Sequence, residues 1–137
     1  MVTDSEGNTV VDNSPNTIQA FKPNTAYTMT YMMQNGVENG TGTEAALWTV
    51  PVAGKTGTSR VVLENGKYFD EYGRFSNQGT FVGFFPAEDP QYSVICCVYS
   101  KPSKKSYYGG TIPAEAVRQL VDKIYCIDPY WQKHISE

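Results

Sequence analysis

The sequence predicts a mixed α/β chain: an antiparallel sheet of three main strands plus a hairpin, with a helix on each face of the sheet. Apolar residues recur at helical spacing in two segments, and β-branched and aromatic runs fill the stretch between them. Short, turn-rich connections join those runs, which favours antiparallel neighbours. With 137 residues, 40% of them hydrophobic, one domain over residues 1–137 is expected to bury one core.

Both predicted helices begin at a capping signal that contains proline. Pro23-Asn24-Thr25 starts a helix that runs to about Val37, with apolar residues at helical spacing. Thr111 caps the second helix, with Pro113 in its first turn and Asp128-Pro129 at its end. Its apolar stripe consists of Val117, Leu120, Val121 and Ile124.

Three runs are predicted to be the main strands: Thr49 to Thr58, Thr80 to Phe85 and Tyr92 to Tyr99. The first becomes small at Ala53-Gly54, which suits a place that something must approach closely. The last is apolar on both faces, so we expect a helix to cover each side.

A hairpin is predicted between the first and second main strands. Val61-Val62-Leu63 and Tyr68-Phe69 flank Asn65-Gly66, a pair that suits a two-residue turn between twisted strands. A further short strand, Thr9-Val10-Val11, lies between loops near the start of the chain.

Composition excludes several classes of protein. The net charge is −3 and the basic cluster is limited to Lys101, Lys104 and Lys105, which argues against nucleic acid. No apolar run approaches the roughly 18 residues needed to span a bilayer. The stretch after Met1 is polar, so neither a signal nor direct membrane contact is expected of this chain, and any anchor would lie upstream.

The cysteines do not form a metal-binding pattern. Cys96 and Cys97 are adjacent, and the single histidine, His134, lies among polar residues. Structural thiols are expected, and a disulfide from Cys96 or Cys97 to Cys126 stays open as an alternative. We expect no metal and no cofactor.

The stretch that carries chemistry is Ala53-Gly54-Lys55-Thr56-Gly57-Thr58. A phosphate-binding loop would need a glycine five residues before Gly54, and that position is Thr49. A bare Lys-Thr-Gly triplet is weak by itself, because Lys55 could be an exposed strand lysine and nothing more.

The surrounding runs strengthen the triplet. Residues 25–126 resemble the C-terminal portion of the transpeptidase domain of penicillin-binding proteins, most closely the class B, cell-division type. The matching runs, in order, are Gly40-Thr41-Gly42, Val52 to Thr58, Thr80 to Ala87, Pro90-Gln91-Tyr92 and Tyr107-Tyr108-Gly109-Gly110. The resemblance implies part of a penicillin-binding or serine β-lactamase-like domain.

The resemblance implies a role for each residue of the box. A peptide ending in D-alanyl-D-alanine would lie antiparallel to the box strand, where Gly57 leaves room for its backbone. Thr56 and Thr58 would bind its terminal carboxylate, and Lys55 would add a cationic field. The N–H of Thr58 would be half of the oxyanion hole. Lys55 and Thr58 are thus the candidate catalytic residues.

Tyr107 and Tyr108 align with aromatic residues that class B enzymes carry beside the substrate pocket. They are candidate substrate-binding residues together with Thr56 and Gly57. The alternative is that both tyrosines simply pack on the edge of the sheet.

The serine half of the family's active site is missing from the sequence. No serine is followed three residues later by lysine, so the Ser-x-x-Lys box is absent. Ser14-Pro15-Asn16 matches Ser-x-Asn formally, but it lies too close to Lys55 and is read as chance. The chain is therefore expected to be a C-terminal subregion of the domain, inactive alone, with an exposed apolar patch and a tendency to dimerise.

The parent reaction implied is acyl transfer in peptidoglycan cross-linking, on the cell-wall (periplasmic) side of the inner membrane, with β-lactams as inhibitors and an anchor upstream. A serine β-lactamase uses the same boxes and is one alternative. A non-catalytic penicillin-binding-like scaffold or binding module is the other.

Overall fold

A computed structural model describes residues 2–12, 14 and 17–128. The strands are β1 (Val2–Thr3), β2 (Thr9–Val11), β3 (Ala53–Val61), β4 (Ser76–Phe85) and β5 (Tyr92–Tyr99). The helices are α1 (Pro23–Glu38) and α2 (Ile112–Ile127), with a short 3-10 turn at Thr43–Ala45. Pro15, Asn16, Pro129 and His134 lie outside the described residues.

Strands β3, β4 and β5 form one antiparallel sheet with β4 in the middle. The register aligns Gly57 with Thr80 and Thr80 with Cys97. The mixed α/β class and the three-stranded antiparallel sheet are thus confirmed. Strands β1 and β2 pair separately, as a two-stranded sheet of exposed residues.

The two main helices occupy the segments that their periodicity predicts. Proline stands in the first turn of each, where its missing N–H costs no hydrogen bond. In α2 the stripe is buried at Val117 and Val121, whereas Leu120 is 44% exposed. The buried face of α2 is therefore narrower than the predicted one, and it also includes Pro113 and Ala114.

One core holds the helices against the sheet. Phe81 and Phe85 of β4 pack with Val37 of α1 and with Val117 and Val121 of α2, and all five are at most 1% exposed. The prediction of one helix on each face is therefore corrected, because both helices contribute to the same cluster. The buried apolar side chains of α2 and Val37 at the end of α1 pack against the same face of the sheet, the face that carries Phe81.

The opposite face of the sheet is exposed in the described part of the chain. Val82 is 47% exposed, Ile95 67% and Tyr99 65%. On β5, Ile95 and Tyr99 alternate with half-buried Val94, Cys96 and Val98, which face the core side. The cover predicted for both sides of β5 is thus present on one side, and the expected exposed apolar patch lies on the other.

The ring of Phe81 fits into space left by glycines. A Cβ at Gly54 would lie 2.5 Å from Cζ of Phe81, and one at Gly83 would lie 2.9 Å from Cε1. A Cβ at Gly42, after α1, would lie 3.4 Å from Cε2 of the same ring. The close approach predicted at Ala53-Gly54 is therefore made by a side chain of the neighbouring strand.

The first and second main strands begin at places different from those predicted. β3 starts at Ala53 because Pro51 has no N–H for a ladder, while Val50 and Val52 are buried in the core. The carbonyl of Pro51 accepts instead from the N–H of Ala87, at 2.8 Å. β4 starts at Ser76, four residues earlier than predicted.

Residues 62–75 form turns in place of the predicted hairpin. Gly66 has φ of +73° and its N–H donates to the Leu63 carbonyl, so the Asn65-Gly66 turn exists. A second turn follows at Asp70 to Arg74, where an ion pair of 2.6 Å joins the two side chains. Val62 and Tyr68 belong to no strand, because the second turn comes too soon for a ladder to form.

The cysteines are on different sides of the sheet. Cys96 faces the core cluster, whereas Cys97 is exposed and its thiol lies 3.5 Å from the Thr80 hydroxyl. Neither is joined to Cys126 by a disulfide.

Replacing Phe81 by alanine tests the shared core. We expect F81A to lower the free energy of unfolding by about 3–5 kcal/mol, because a fully buried ring is removed from glycine-lined space. V82A, the next residue on the exposed face, should cost less than about 1 kcal/mol. Urea unfolding of both variants measures the difference. Equal losses would contradict a core confined to the Phe81 side.

Candidate functional site

The Lys-Thr-Gly box lies in the first half of β3, an outer strand of the sheet. Lys55, Gly57 and Thr58 are exposed, while Thr56 is half-buried. Among the described residues β3 pairs with β4 alone, so its other edge presents backbone donors and acceptors. An extended peptide could add to that edge as a further strand.

Lys55 and Thr56 point to opposite faces of the sheet. Lys55 is opposite Val82, on the exposed face, and its Nζ donates to the carbonyl of Thr56 at 2.8 Å. Thr56 is opposite Phe81, on the core side. The cation and the hydroxyls of the box therefore reach the edge of β3 from different sides.

Threonine hydroxyls gather on the core side of the box. The hydroxyl oxygens of Thr41 and Thr56 are 2.7 Å apart, and the N–H of Gly109 donates to Oγ1 of Thr58 at 3.1 Å. An open cavity of about 300 Å³ lies here, lined by Thr41, Thr56, Thr58, Tyr108, Gly110 and Thr111. Because Thr58 accepts from Gly109, its own O–H hydrogen is left to donate to an anion.

The loop before α2 is tied to the sheet by a buried amide. Asn77 is 5% exposed, and its Nδ2 donates to the carbonyl of Tyr107 at 3.2 Å. The hydroxyl of Thr111 donates to the carbonyl of Tyr108 at 2.7 Å. These bonds fix the backbone on both sides of the tyrosine pair, so the loop forms a wall of defined position.

Two glycines let this loop lie directly on the box strand. A Cβ at Gly109 would overlap the carbonyl oxygens of Gly57 and Thr80 and lie 3.0 Å from the nitrogen of Gly57. A Cβ at Gly110 would overlap the carbonyl oxygen of Thr41. The Gly109-Gly110 pair is thus required by contact with the backbone of β3, of β4 and of the turn after α1.

Gly57 is in the opposite situation. A Cβ there would meet nothing nearer than Cβ of Thr80, at 3.9 Å. The packing of the chain does not require a glycine at this position. Room above Gly57 is therefore available to an approaching backbone, as expected for a substrate strand.

The structure separates the two candidate tyrosines. Tyr108 lines the threonine cavity and is 57% exposed. Tyr107, 40% exposed, lines a neighbouring cavity that Tyr108 also borders, and does not line the threonine cavity. Contact with a ligand at the box is thus better supported for Tyr108 than for Tyr107.

Four residues of this region are not among the predicted site residues. Thr41 and Thr111 add hydroxyls, Gly110 gives close contact, and Asn77 holds the loop. The run Gly40-Thr41-Gly42 was a signal for Thr41, because its glycines contact α1 and Phe81. Asn77 gave no signal, since one asparagine before a strand is commonplace.

Metal-binding groups and membrane-spanning helices were both sought among the described residues. No group of three His, Cys, Asp or Glu side chains in that part of the chain could hold a metal ion. None of its helices combines the length and the apolar character needed to cross a membrane.

The Lys-Thr-Gly box thus lies on an outer strand beside a hydroxyl-lined cavity. The family described as "Penicillin binding protein transpeptidase domain" matches residues 2–122. The chain therefore belongs to the transpeptidase domain family of penicillin-binding proteins, and the resemblance found in the sequence is confirmed.

Individual relatives of this chain are also peptidoglycan D,D-transpeptidases by name. The chain is 31% identical over 109 residues to the "Probable peptidoglycan D,D-transpeptidase PenA" of Neisseria gonorrhoeae, covering 79% of this chain and 18% of that protein. It is 29% identical over 107 residues to the "Peptidoglycan D,D-transpeptidase FtsI" of Buchnera aphidicola, covering 77% of this chain and 18% of that protein. The predicted relation of this chain to the class B, cell-division type of the family is thus confirmed.

Solved structures show the same fold. The D,D-transpeptidase domain of a peptidoglycan glycosyltransferase from Eggerthella lenta superposes with a TM-score of 0.59 at 31% identity. That match covers 92% of this chain and 26% of the solved chain. The chain thus spans about a fifth to a quarter of the length of these relatives.

Replacing Gly109 by alanine tests the contact between loop and box. We expect G109A to lower the free energy of unfolding by about 1–3 kcal/mol, because its Cβ meets backbone atoms that cannot rotate away. G57A is the matched control and should be neutral or stabilising by up to about 1 kcal/mol, since its Cβ enters open space. Thermal or urea unfolding of both checks this. A G57A loss as large as that of G109A would contradict the geometry.

Proposed function

We propose that this chain is the substrate-binding wall of a D,D-transpeptidase that cross-links peptidoglycan and is acylated by β-lactams. The observation that carries the proposal is the outer position of the box strand, with open space over Gly57 and four threonines around the adjoining cavity. A peptide ending in D-alanyl-D-alanine would add antiparallel to β3 by main-chain hydrogen bonds.

The end of that peptide is a carboxylate, and the groups near the box suit an anion. The hydroxyls of Thr56 and Thr58 are the proposed donors, with Lys55 as the nearby cation. Hydrogen bonds in which one partner is charged are shorter and stronger than neutral ones, so two hydroxyls and one ammonium form a suitable recognition set. Tyr108 is the proposed aromatic neighbour of the bound peptide, and Tyr107 a more distant one.

The N–H of Thr58 is proposed as one donor of the oxyanion hole. Its hydroxyl oxygen already accepts from Gly109, which restricts the position of the side chain. One donor of such a pair is typically worth about 3 kcal/mol of transition-state stabilisation. The second donor would come from the residue that carries the nucleophile.

The nucleophile itself is not in these 137 residues, because no Ser-x-x-Lys box occurs among them. We propose that a Ser-x-x-Lys segment outside them completes the site, and that residues 1–137 form one subregion of the transpeptidase domain. An anchor, also outside these residues, would hold the protein on the periplasmic side of the inner membrane. The wall alone would bind without reacting. In the complete protein a serine would attack the D-alanyl-D-alanine carbonyl and release D-alanine, and an amine of a second stem peptide would resolve the acyl-enzyme.

Binding without reaction can be measured on the 137-residue protein. An N-acetylated peptide ending in D-alanyl-D-alanine should shift the amide resonances of β3 in ¹⁵N-labelled protein, with Kd on the order of 1 mM or weaker. G57V should weaken this binding at least about fivefold, because its side chain occupies the path of the peptide backbone. S59V, two residues further on the same exposed face, should change it less than about twofold.

Three results would sink this proposal. The first is the absence of any shift in β3 at saturating peptide, and the second is an equal loss of binding in G57V and S59V. The third is stoichiometric covalent labelling of the 137-residue protein by a fluorescent penicillin, because the chain would then contain a nucleophile of its own. A peptide ending in L-alanyl-L-alanine is the control for stereochemistry.

The exposed face of the sheet is also proposed to make the isolated chain dimerise. Ile95 and Tyr99 lie on β5, which pairs only with β4 among the described residues, so apolar side chains and a strand edge are exposed together. I95K should weaken self-association at least about tenfold, whereas L120K on α2 should leave it within about twofold. Light scattering over a wide concentration range measures this, and a clean monomer throughout would refute the dimer.

A further inference from the structure

A second cavity lies next to the threonine cavity and is not used by the proposed function. It has a volume of about 370 Å³ and lies between the end of β5, the 100–108 loop and the start of α2. Most of the residues that line it are apolar or aromatic, among them Val98, Tyr107 and Ile112. A concave, mostly apolar space of this size with few polar groups is typical of a small-molecule site.

Hydrogen bonds hold the walls of this cavity in place. Phe75 and Ser103 exchange two backbone bonds, of 3.0 and 2.9 Å. Ser100 donates its N–H to the carbonyl of Asn77, and its hydroxyl accepts from the N–H of Asn77, each at 2.9 Å. Together with the bond from Nδ2 of Asn77 to the carbonyl of Tyr107, these bonds tie both ends of the loop to the start of β4, so a ligand would find the cavity already formed.

The inner end of the cavity is bounded by close contact at Gly79. A Cβ there would lie 3.2 Å from the carbonyl carbon of Tyr108 and 3.3 Å from Cγ of Pro113. The tyrosine loop and the first turn of α2 therefore rest on β4 at this point. They enclose the cavity on the side of the box.

The charges around the cavity favour an anion. Lys101 lines it, and Ile112 and Pro113 place the positive end of the α2 dipole beside it. None of the described residues that line it is acidic, and Glu115, the acidic residue of the first turn of α2, lies outside the lining. Lys104 is exposed in the same loop but does not line the cavity.

We propose that this cavity binds a small aromatic carboxylate. The ring would lie against Val98, Tyr107 and Ile112, and the carboxylate would point toward Lys101. Aromatic rings gain from contact with other aromatic faces, and the ammonium and the helix end stabilise the negative charge. Tyr108 borders both cavities, so a ligand here would contact a wall of the box cavity without occupying the box.

Titration of the ¹⁵N-labelled 137-residue protein with 2-naphthoate tests this site. We expect amide shifts at Gly79, Val98 and Ile112, with Kd on the order of 1 mM. K101E should weaken binding at least about fivefold, and the matched variant K104E should change it less than about twofold. The neutral 2-naphthamide should bind at least about fivefold more weakly than the carboxylate.

A second variant separates the cavity from the general surface. I112W places a larger side chain in the cavity and should abolish binding, while the remaining amide spectrum shows that the chain is folded. The proposal is overturned by the absence of shifts up to about 5 mM naphthoate, by equal binding of the amide, or by equal effects of K101E and K104E. None of these readouts uses the D-alanyl-D-alanine peptide, so failure here is distinct from failure of the proposed function.

Discussion

The ring of Phe81 determines where the elements around the Lys-Thr-Gly box can lie. It is fully buried, and it occupies the space that side chains at Gly54 and Gly83 would fill. Gly42 brings the turn after α1 against the same ring. Because Gly54 directly precedes Lys55, the position of the box along β3 follows from the packing of one side chain of β4.

This packing also connects the fold to the site. Thr41 stands beside Gly42 and its hydroxyl meets that of Thr56, so the contact at Phe81 brings a threonine from the end of α1 to the box. On the other side, the loop before α2 rests on Gly57 through Gly109. The threonine cavity is therefore assembled from three separate parts of the chain, each placed by contact with a glycine.

Sequence reasoning succeeded where a local signal decides the structure. Proline in the first turn and helical periodicity predict both long helices, although neither helix has the side-chain cap bond that the capping signals predict. The turn-rich run Pro86 to Pro90 predicts the start of β5. It failed where packing decides. Val50 and Val52 are residue types that favour strands, yet both lie before β3 and are buried in the core. Pro51 between them has no N–H for a ladder. Similarly, the apolar pattern on both faces of β5 predicts cover on both sides, whereas one face is exposed among the described residues.

The same distinction applies to the site. The box is recognised by resemblance to a family, and the family match confirms that the chain belongs to that family. The order of several short runs is specific even when each run is common. The arrangement of Thr41, Asn77 and Thr111 around it could not be predicted, since their hydrogen bonds join positions 15 or more residues apart or depend on the loop geometry. Contacts of that kind follow from the tertiary structure and leave no spacing to detect.

The hydrogen bond from Lys55 to the carbonyl of Thr56 has a consequence for recognition energetics. One of the three N–H donors of the ammonium is already bonded within its own strand, so a ligand carboxylate must use the other two donors or displace this bond. The box is therefore incompletely preorganised for an anion, because turning Lys55 fully toward a ligand costs the bond to the carbonyl of Thr56. A change that held the Lys55 side chain away from that carbonyl, at the free edge of β3, would raise affinity for an anionic ligand without contacting that ligand.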